Sequence, residues 1–524
     1  MPHVRATFSV ADDPWIDVRC GTAYRQLGLR TLFLDAHLID DLAIPIAPTV
    51  SALLRIAAVI AARITGLDDP RLSADAWNGH RRTLLSSSDG FDPTAVNAYF
   101  DNEAHCFEAF DPVRPWLQEP LLASQCTAPS GINRLVFGRP SGSNLAWLSP
   151  HHDRDPVPVP TAQALQHLLI HHYYGASGGA TPRAVGRRAP QHLGRSGPLR
   201  ATVSFHPLGR NLHETLLAQI PKLNDEQADR DLCPWEDPDP PDPDDPLVPL
   251  TWPGRILTGR SRHALLLVPA HDGSHVSEVY LTWATRHPPL PATDPYLVMH
   301  TKGTTPPQRR RYPRRADADK AWWRELDALL LAPDEHRAFR RPEIFDTLND
   351  LPEPLRTRLR VRVCGFDQDP KTKDHRWYTA ITPAIWPWAQ EHDPGQAERI
   401  AECVAQAEHH AVRLTYLAGQ AWKDTVDGPD RATAGSRGPE QPSRSPWAAP
   451  ARAAYWPRAE HTFWRLLDQP DIPARPAFAT AAEAALRTAT EGDRVRLRHA
   501  ARAIAAAVAE LHRPPRTRPQ EDRR

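Results

Sequence analysis

Between Pro156 and His213 the chain has neither aspartate nor glutamate, although its 63 acidic and 63 basic residues balance overall. The stretch holds Arg183, Arg187, Arg188, Arg195, Arg200 and Arg210, interspersed with glycines at 175, 178, 179, 186, 194, 197 and 209. Guanidinium forks match phosphate geometry, and glycine lets a main chain approach closely. Each phosphate so neutralised releases condensed counterion, so the pattern suits a polyanion. With a net charge of zero, any basic face must be built by folding. The competing reading is a surface loop whose charge is compensated by acidic segments folded against it.

Other residues offer different chemistry. Gly175-Ala176-Ser177-Gly178-Gly179 matches Gly-x-Ser-x-Gly, the nucleophile elbow of serine hydrolases, and makes a hydrolase using Ser177 the alternative reading. An elbow needs a helix directly after the serine; Pro182, Gly186 and Pro190 oppose one here. His151-His152-Asp153 and His171-His172 present metal-ligand types. Adjacent residues point to different faces, though, and no acid stands at helical spacing, so no metal site is expected. Gln368 follows the alternating run Leu359–Val363 in a polar turn with Lys371 and Lys373. This is either an ordinary hairpin or a tip whose amide could pair with base edges. Walker A and Rossmann fingerprints are absent, so no nucleotide cofactor is expected.

These residues must be positioned by mixed elements. Periodicity predicts helices over Pro48–Thr65 (capped by Thr49 or Ser51), Pro93–Ala109, Thr161–Tyr174, Asn211–Ile220 and Asp317–Leu331. Strands are predicted near Trp15–Val18, Thr202–Phe205, Arg255–Leu257, His263–Val268 and Glu278–Trp283, with one hairpin between Asp111 and Pro160. The acidic, proline-rich segment 224–246 reads as a solvated insertion, or as a phosphate mimic that masks the arginine region. Gln308–Arg315 is a second basic cluster, either a solvated loop or a phosphate contact. Beyond residue 390 the pattern becomes helical: Pro394–Val426, Ala453–Leu467 and Ala477–His512, with a breaker-rich linker at 428–450. The fold class is therefore α+β, a large mixed α/β domain over 1–390 followed by a four-helix-type bundle over 391–524.

A chain of 524 residues exceeds a single core and predicts two to four domains. Six scattered cysteines without a Cys-x-x-Cys pair fit a reduced, cytoplasmic protein. No signal peptide is read at the N-terminus. The longest apolar run, Val50–Ile64, carries Arg55 and Arg63 and reads as a buried helix rather than a membrane span.

Several segments occur in a familiar order. They are Trp15-Ile16-Asp17-Val18-Arg19, the helix at Pro48–Thr65, and Asn133-Arg134-Leu135-Val136-Phe137. Leu193-Gly194-Arg195-Ser196-Gly197-Pro198-Leu199 then leads into Thr202-Val203-Ser204 and the helix at Asn211–Ile220. Thr251-Trp252-Pro253-Gly254 and the terminal helices complete the series. Together they resemble the CasA family, the large subunit of the type I-E CRISPR surveillance complex Cascade. The resemblance implies a binding subunit and not an enzyme. Its partners would be a guide RNA, target double-stranded DNA, other Cascade subunits and a helicase-nuclease, with no membrane and no cofactor. Guide pairing reads the target in such complexes while protein reads a short flanking motif, the PAM. The family's glycine loop falls on Gly175, Gly178 and Gly179, and its strand-opening glutamine on Gln368. Lys371, Arg183, Arg187 and Arg188 would join them on DNA, and Asn133, Phe137 and Arg139 would contact the 5′ end of the guide. The cysteine cluster that some relatives carry near 265–280 is missing. The family's basic finger there has only Arg260, Arg262 or Arg286 as counterparts.

Overall fold

The computed structural model describes the chain except residues 1–5, 143–147, 188, 223–230, 238–240, 248–252, 260–261, 288–293, 303–309, 335–336, 428–444 and 515–524. It divides into two compact units, one of residues 1–320 and 333–387, the other of 321–332 and 388–524.

The first unit is organised around helix α1, Ala47–Thr65, which is buried over its first sixteen residues. Pro48 presets the first turn, and Gly66 at φ +69° ends the helix in the left-handed conformation. Neither Thr49 nor Ser51 caps it. Thr49 Oγ1 bonds the Gln166 carbonyl and Ser51 Oγ bonds His206, so tertiary contacts have claimed both hydroxyls. Arg55, fully buried, forms a bidentate pair with Asp294 at 2.9 and 3.0 Å and also donates to Ser204. Burial opposes its charge, yet Asp294 holds the guanidinium above its usual range.

Around α1 lie helix α2 (Thr161–Tyr174), strand β3 (Val203–Leu208) and helix α3 (Leu212–Gln219), while the ribbon β1 (Gly178–Arg183) and β2 (Gln191–Gly194) packs on the strand His275–Trp283. Strands β4 (His263–Pro269) and β5 (His275–Trp283) pair antiparallel, as do β6 (Arg360–Gln368) and β7 (Asp374–Ile381). β6 sits centrally between β7 and β3. Asn211 caps α3 by accepting from the Glu214 amide at 3.0 Å.

Several expectations are corrected. Gly254–Thr258 is a short helix, not a strand, because the Asp231 carboxylate accepts from the amides of Gly254 and Arg255 and caps it. The helix from Pro93 stops at Asn102. Among the described residues 111–160 contain no hairpin of named strands; a short helix at Leu122–Gln125 stands there instead. Arg310–Pro313 is a strand paired with Met299–Lys302, not a solvated loop.

The second unit is built from helices α4 (Pro394–Asp427), α5 (Ala448–Asp468), α6 (Ala474–Arg496) and α7 (Ala500–His512). Ile400, Val404, Ala407 and Ala411 of α4 are buried on one face, as their spacing predicts. The single helix expected over 477–512 breaks at Leu497–His499. Residues 321–332, which the change of pattern near residue 390 assigns to the first domain, pack in this unit instead. Trp323 stacks on Phe463 at 4.7 Å, and Arg324 pairs with Glu408 at 2.7 Å. Most of the 428–450 linker lies outside the described residues.

Candidate nucleic-acid interface

The glycine loop leaves the C-terminal end of α2. A Cβ on Gly175 would stand 2.5 Å from the His263 ring and 2.7 Å from the His171 carbonyl. Gly175 is therefore required by packing and is itself buried. Gly178 has φ +117°, open only to glycine, while Gly179 is exposed with no atom near its would-be Cβ. The loop's outward residue is thus Gly179, with Gly178 half-buried against Thr372.

Facing it is the turn between β6 and β7. The Ser177 amide and hydroxyl both donate to the Lys371 carbonyl, at 2.8 and 3.0 Å. Ser196 Oγ donates to the Pro370 carbonyl at 2.8 Å. Arg200, buried, reaches the carbonyls of Asp369 and Lys373 at 2.9 and 3.0 Å and the Asp374 carboxylate at 2.9 Å. Within the turn the Asp369 carboxylate accepts from the amides of Lys371, Thr372 and Lys373, and these backbone bonds hold it below the usual carboxylate range. The tip is tied down from both sides while Lys371, Thr372 and Lys373 stay exposed. Glycine loop and basic tip form one continuous surface.

Gln368 is not on that surface. It is 5% exposed; its carbonyl oxygen accepts from the Ala201 amide at 3.1 Å, and its amide donates to Asp374 at 2.7 Å and Tyr174 at 3.3 Å. An exposed wedge at this residue is corrected to an internal clamp at the base of the hairpin. Arg183 is corrected in the same way. Fully buried, it contacts Glu119 at 2.6 Å, Gln125 at 2.7 Å and the Trp283 carbonyl at 2.9 Å. Burial nonetheless pushes Glu119 up to about 7. Arg210 pairs with Glu214. Acids from outside the acid-free stretch therefore compensate three of its arginines, leaving Arg187 and Arg195 exposed; Arg188 lies outside the described residues.

The expected guide-RNA residues gather beside α2. Asn133 is buried, donating to Asp153 at 3.0 Å and accepting from Arg139 at 3.4 Å, so its amide is occupied within the protein and not exposed as expected. Arg139 is half-buried and donates to the Val157 carbonyl at 2.7 Å. Phe137 packs on His171 at 4.6 Å and Phe366 at 5.8 Å. Part of the loop, 143–147, lies outside the described residues.

Ser177 lacks the elbow geometry. Strand β1 follows it instead of a helix, and its hydroxyl is spent on a carbonyl. His263 bonds the Ala176 carbonyl at 3.0 Å, and burial pushes it down to about 4. His171 and His172 likewise bond the carbonyls of Leu135 and Leu117. What sequence reasoning missed is that Ser177, Ser196 and Arg200, all named from the sequence, act together to carry the tip. The only signal was their place near the glycines.

Comparison with known proteins places this architecture among the large CRISPR-associated proteins. The family model for CRISPR-associated protein Cse1 matches residues 10–494, and the chain belongs to that family. The CRISPR-associated protein CasA/Cse1 of Thermus thermophilus is 25% identical over 477 residues, 87% of this chain and 86% of its own length. A chain of a solved CRISPR RNA-guided surveillance complex is 36% identical with TM-score 0.84, covering 97% of this chain and 99% of that one. A chain of a surveillance complex described as pre-nicking is also 36% identical, with TM-score 0.76 and coverage of 97% and 98%.

Proposed function

We propose that this chain is the large, non-catalytic subunit of a type I-E CRISPR RNA-guided surveillance complex, which reads the PAM in duplex DNA and starts strand separation beside it. Family membership and the likeness to chains of surveillance complexes support the assembly. The observation that carries the DNA-reading role is the apposition of half-buried Gly178 and exposed Gly179 to the exposed Lys371–Lys373 tip, fastened by Ser177. Bare backbone fits a minor groove, and the lysines supply phosphate contacts. Minor-groove reading separates A·T from T·A poorly, so the tolerated PAM set should be broad.

Since Gln368 is buried, the element that enters the duplex is the tip it supports, residues 369–373. Arg187 would add a phosphate contact from the neighbouring loop. Phe137, Arg139 and the loop beyond would hold the 5′ end of the guide, with Asn133 fixing Arg139. The helical unit would meet the small subunits and displaced DNA, and the assembled complex would recruit the helicase-nuclease. The test is Gly179→Asp in the reconstituted complex. The space beside Gly179 is open, so thermal stability should be unchanged while PAM-duplex affinity in a gel shift collapses. Unchanged affinity would remove the loop from the interface.

A further inference from the structure

A second arginine-lined surface lies in the first unit, on a cleft of about 620 Å³ backed by Trp283 and lined by Arg114, Arg195, Arg255 and Arg286. The described residues 234–237 and 241–247 of the acidic, proline-rich segment lie along it. Asp237 pairs with Arg255 at 2.8 Å and Asp244 with Arg286 at 3.4 Å, while Asp242 and Asp245 also line the cleft. The pairing at Arg286 is poor. All three guanidinium nitrogens are buried without a hydrogen-bond partner. Asp244 stands beyond the distance of a charge-assisted bond, and the other neighbour is the Trp283 ring, 5.0 Å from the guanidinium. Arg286 is thus screened by a carboxylate without being satisfied by one.

We propose that this cleft binds the sugar–phosphate backbone of single-stranded DNA, and that Pro241–Leu247 is an intramolecular competitor that strand phosphates displace. A phosphate offers Arg286 the bidentate geometry that Asp244 does not supply. Asp242, Asp244 and Asp245 are exposed on their outer side, and Pro243 and Pro246 have no amide hydrogen with which to anchor the segment. Its carbonyl anchors include the bonds from the Arg286 amide to Pro243 at 3.2 Å and from His287 to Asp244 at 3.0 Å. Pro243 is the one buried residue of Pro241–Leu247, so charge carries much of the remaining hold, and charge is the interaction that a polyanion and salt both weaken. A cleft with arginines over an indole wall suits a flexible single strand better than a rigid duplex. The role rests on the DNA-binding reading above only for the source of the strand.

The experiment measures fluorescence anisotropy of a labelled oligothymidylate with the full chain across a salt series. Asp242→Asn/Asp245→Asn alters exposed carboxylates only and should raise affinity several-fold. It should also steepen the log–log salt slope by about 0.7 for each additional phosphate neutralised on a single strand. Adding Arg286→Gln to that background should abolish the increase, with circular dichroism melting as the folding control. Unaltered affinity in the double variant, or an increase that survives Arg286→Gln in a folded protein, overturns the proposal. Gly179→Asp should leave oligothymidylate binding intact while removing PAM-duplex binding. Failure of the cleft is thereby distinguished from failure of the PAM reading.

Discussion

The amide of Gln368, expected at an exposed tip, is turned inward and bonded within the protein. Its three hydrogen bonds tie the end of β6 to Ala201, Tyr174 and Asp374, fixing where the following turn projects. Truncation leaves the Ala201 amide without its acceptor inside the protein, at a cost of about 1–3 kcal/mol. Gln368→Ala should therefore lower the melting temperature and weaken duplex opening together, whereas Lys371→Ala should weaken DNA contact without touching stability. Calorimetry beside an opening assay separates the two. The sequence revealed residue types and neighbourhood here, but not orientation. Alternation along Leu359–Val363 placed a strand correctly, while nothing local disclosed that Tyr174 and Ala201 would close over Gln368. Arg183 repeats the lesson, because its partner Glu119 is 64 positions away in a stretch with no periodic signal.

At the scale of elements, the glycine loop depends on the buried imidazoles behind it. Burial pushes His167, His172 and His263 down to about 4 from an ordinary 6.5. Below 6.5 the unfolded chain takes up protons that the folded one refuses, so stability falls as pH drops from about 6.5 towards 4 and is fully present above that window. Because His263 packs against Gly175 and bonds Ala176, duplex affinity should be lost in the same window. Melting and gel-shift measurements across that range check both. Arg187, exposed on the loop after β1, should reduce the magnitude of the duplex salt slope by about one unit when replaced by alanine. An unaltered slope would return it to the solvated surface. The long elements were legible, α1 as a continuous apolar run and α2 and α4 from the spacing of their apolar residues. Gly254–Thr258 was not, because Asp231 sets its conformation; the helix predicted over Asp317–Leu331 is present from Trp322 to Leu330, but its place in the second unit, where Trp323 packs on Phe463, was not legible.

For the whole molecule, the balance of 63 acids against 63 bases conceals strong local separation. The folded first unit compensates Arg183, Arg200 and Arg210 internally and leaves a small basic rim beside exposed glycine backbone. The α+β class was legible from the change of pattern near residue 390, and the family from the order of its segments. The identity of the surface was not, since it joins residues 177–179 to 369–373 through Ser196 and Arg200. The central claim is that these apposed loops open a short DNA step without bond-making chemistry. Its most direct measurement is 2-aminopurine fluorescence beside the PAM on adding the reconstituted complex, with the Lys371→Ala/Thr372→Gly/Lys373→Ala chain against the unmodified one. The account predicts a fluorescence rise with the unmodified chain and little or none with the variant, although the variant complex still assembles. An equal rise with both would contradict it.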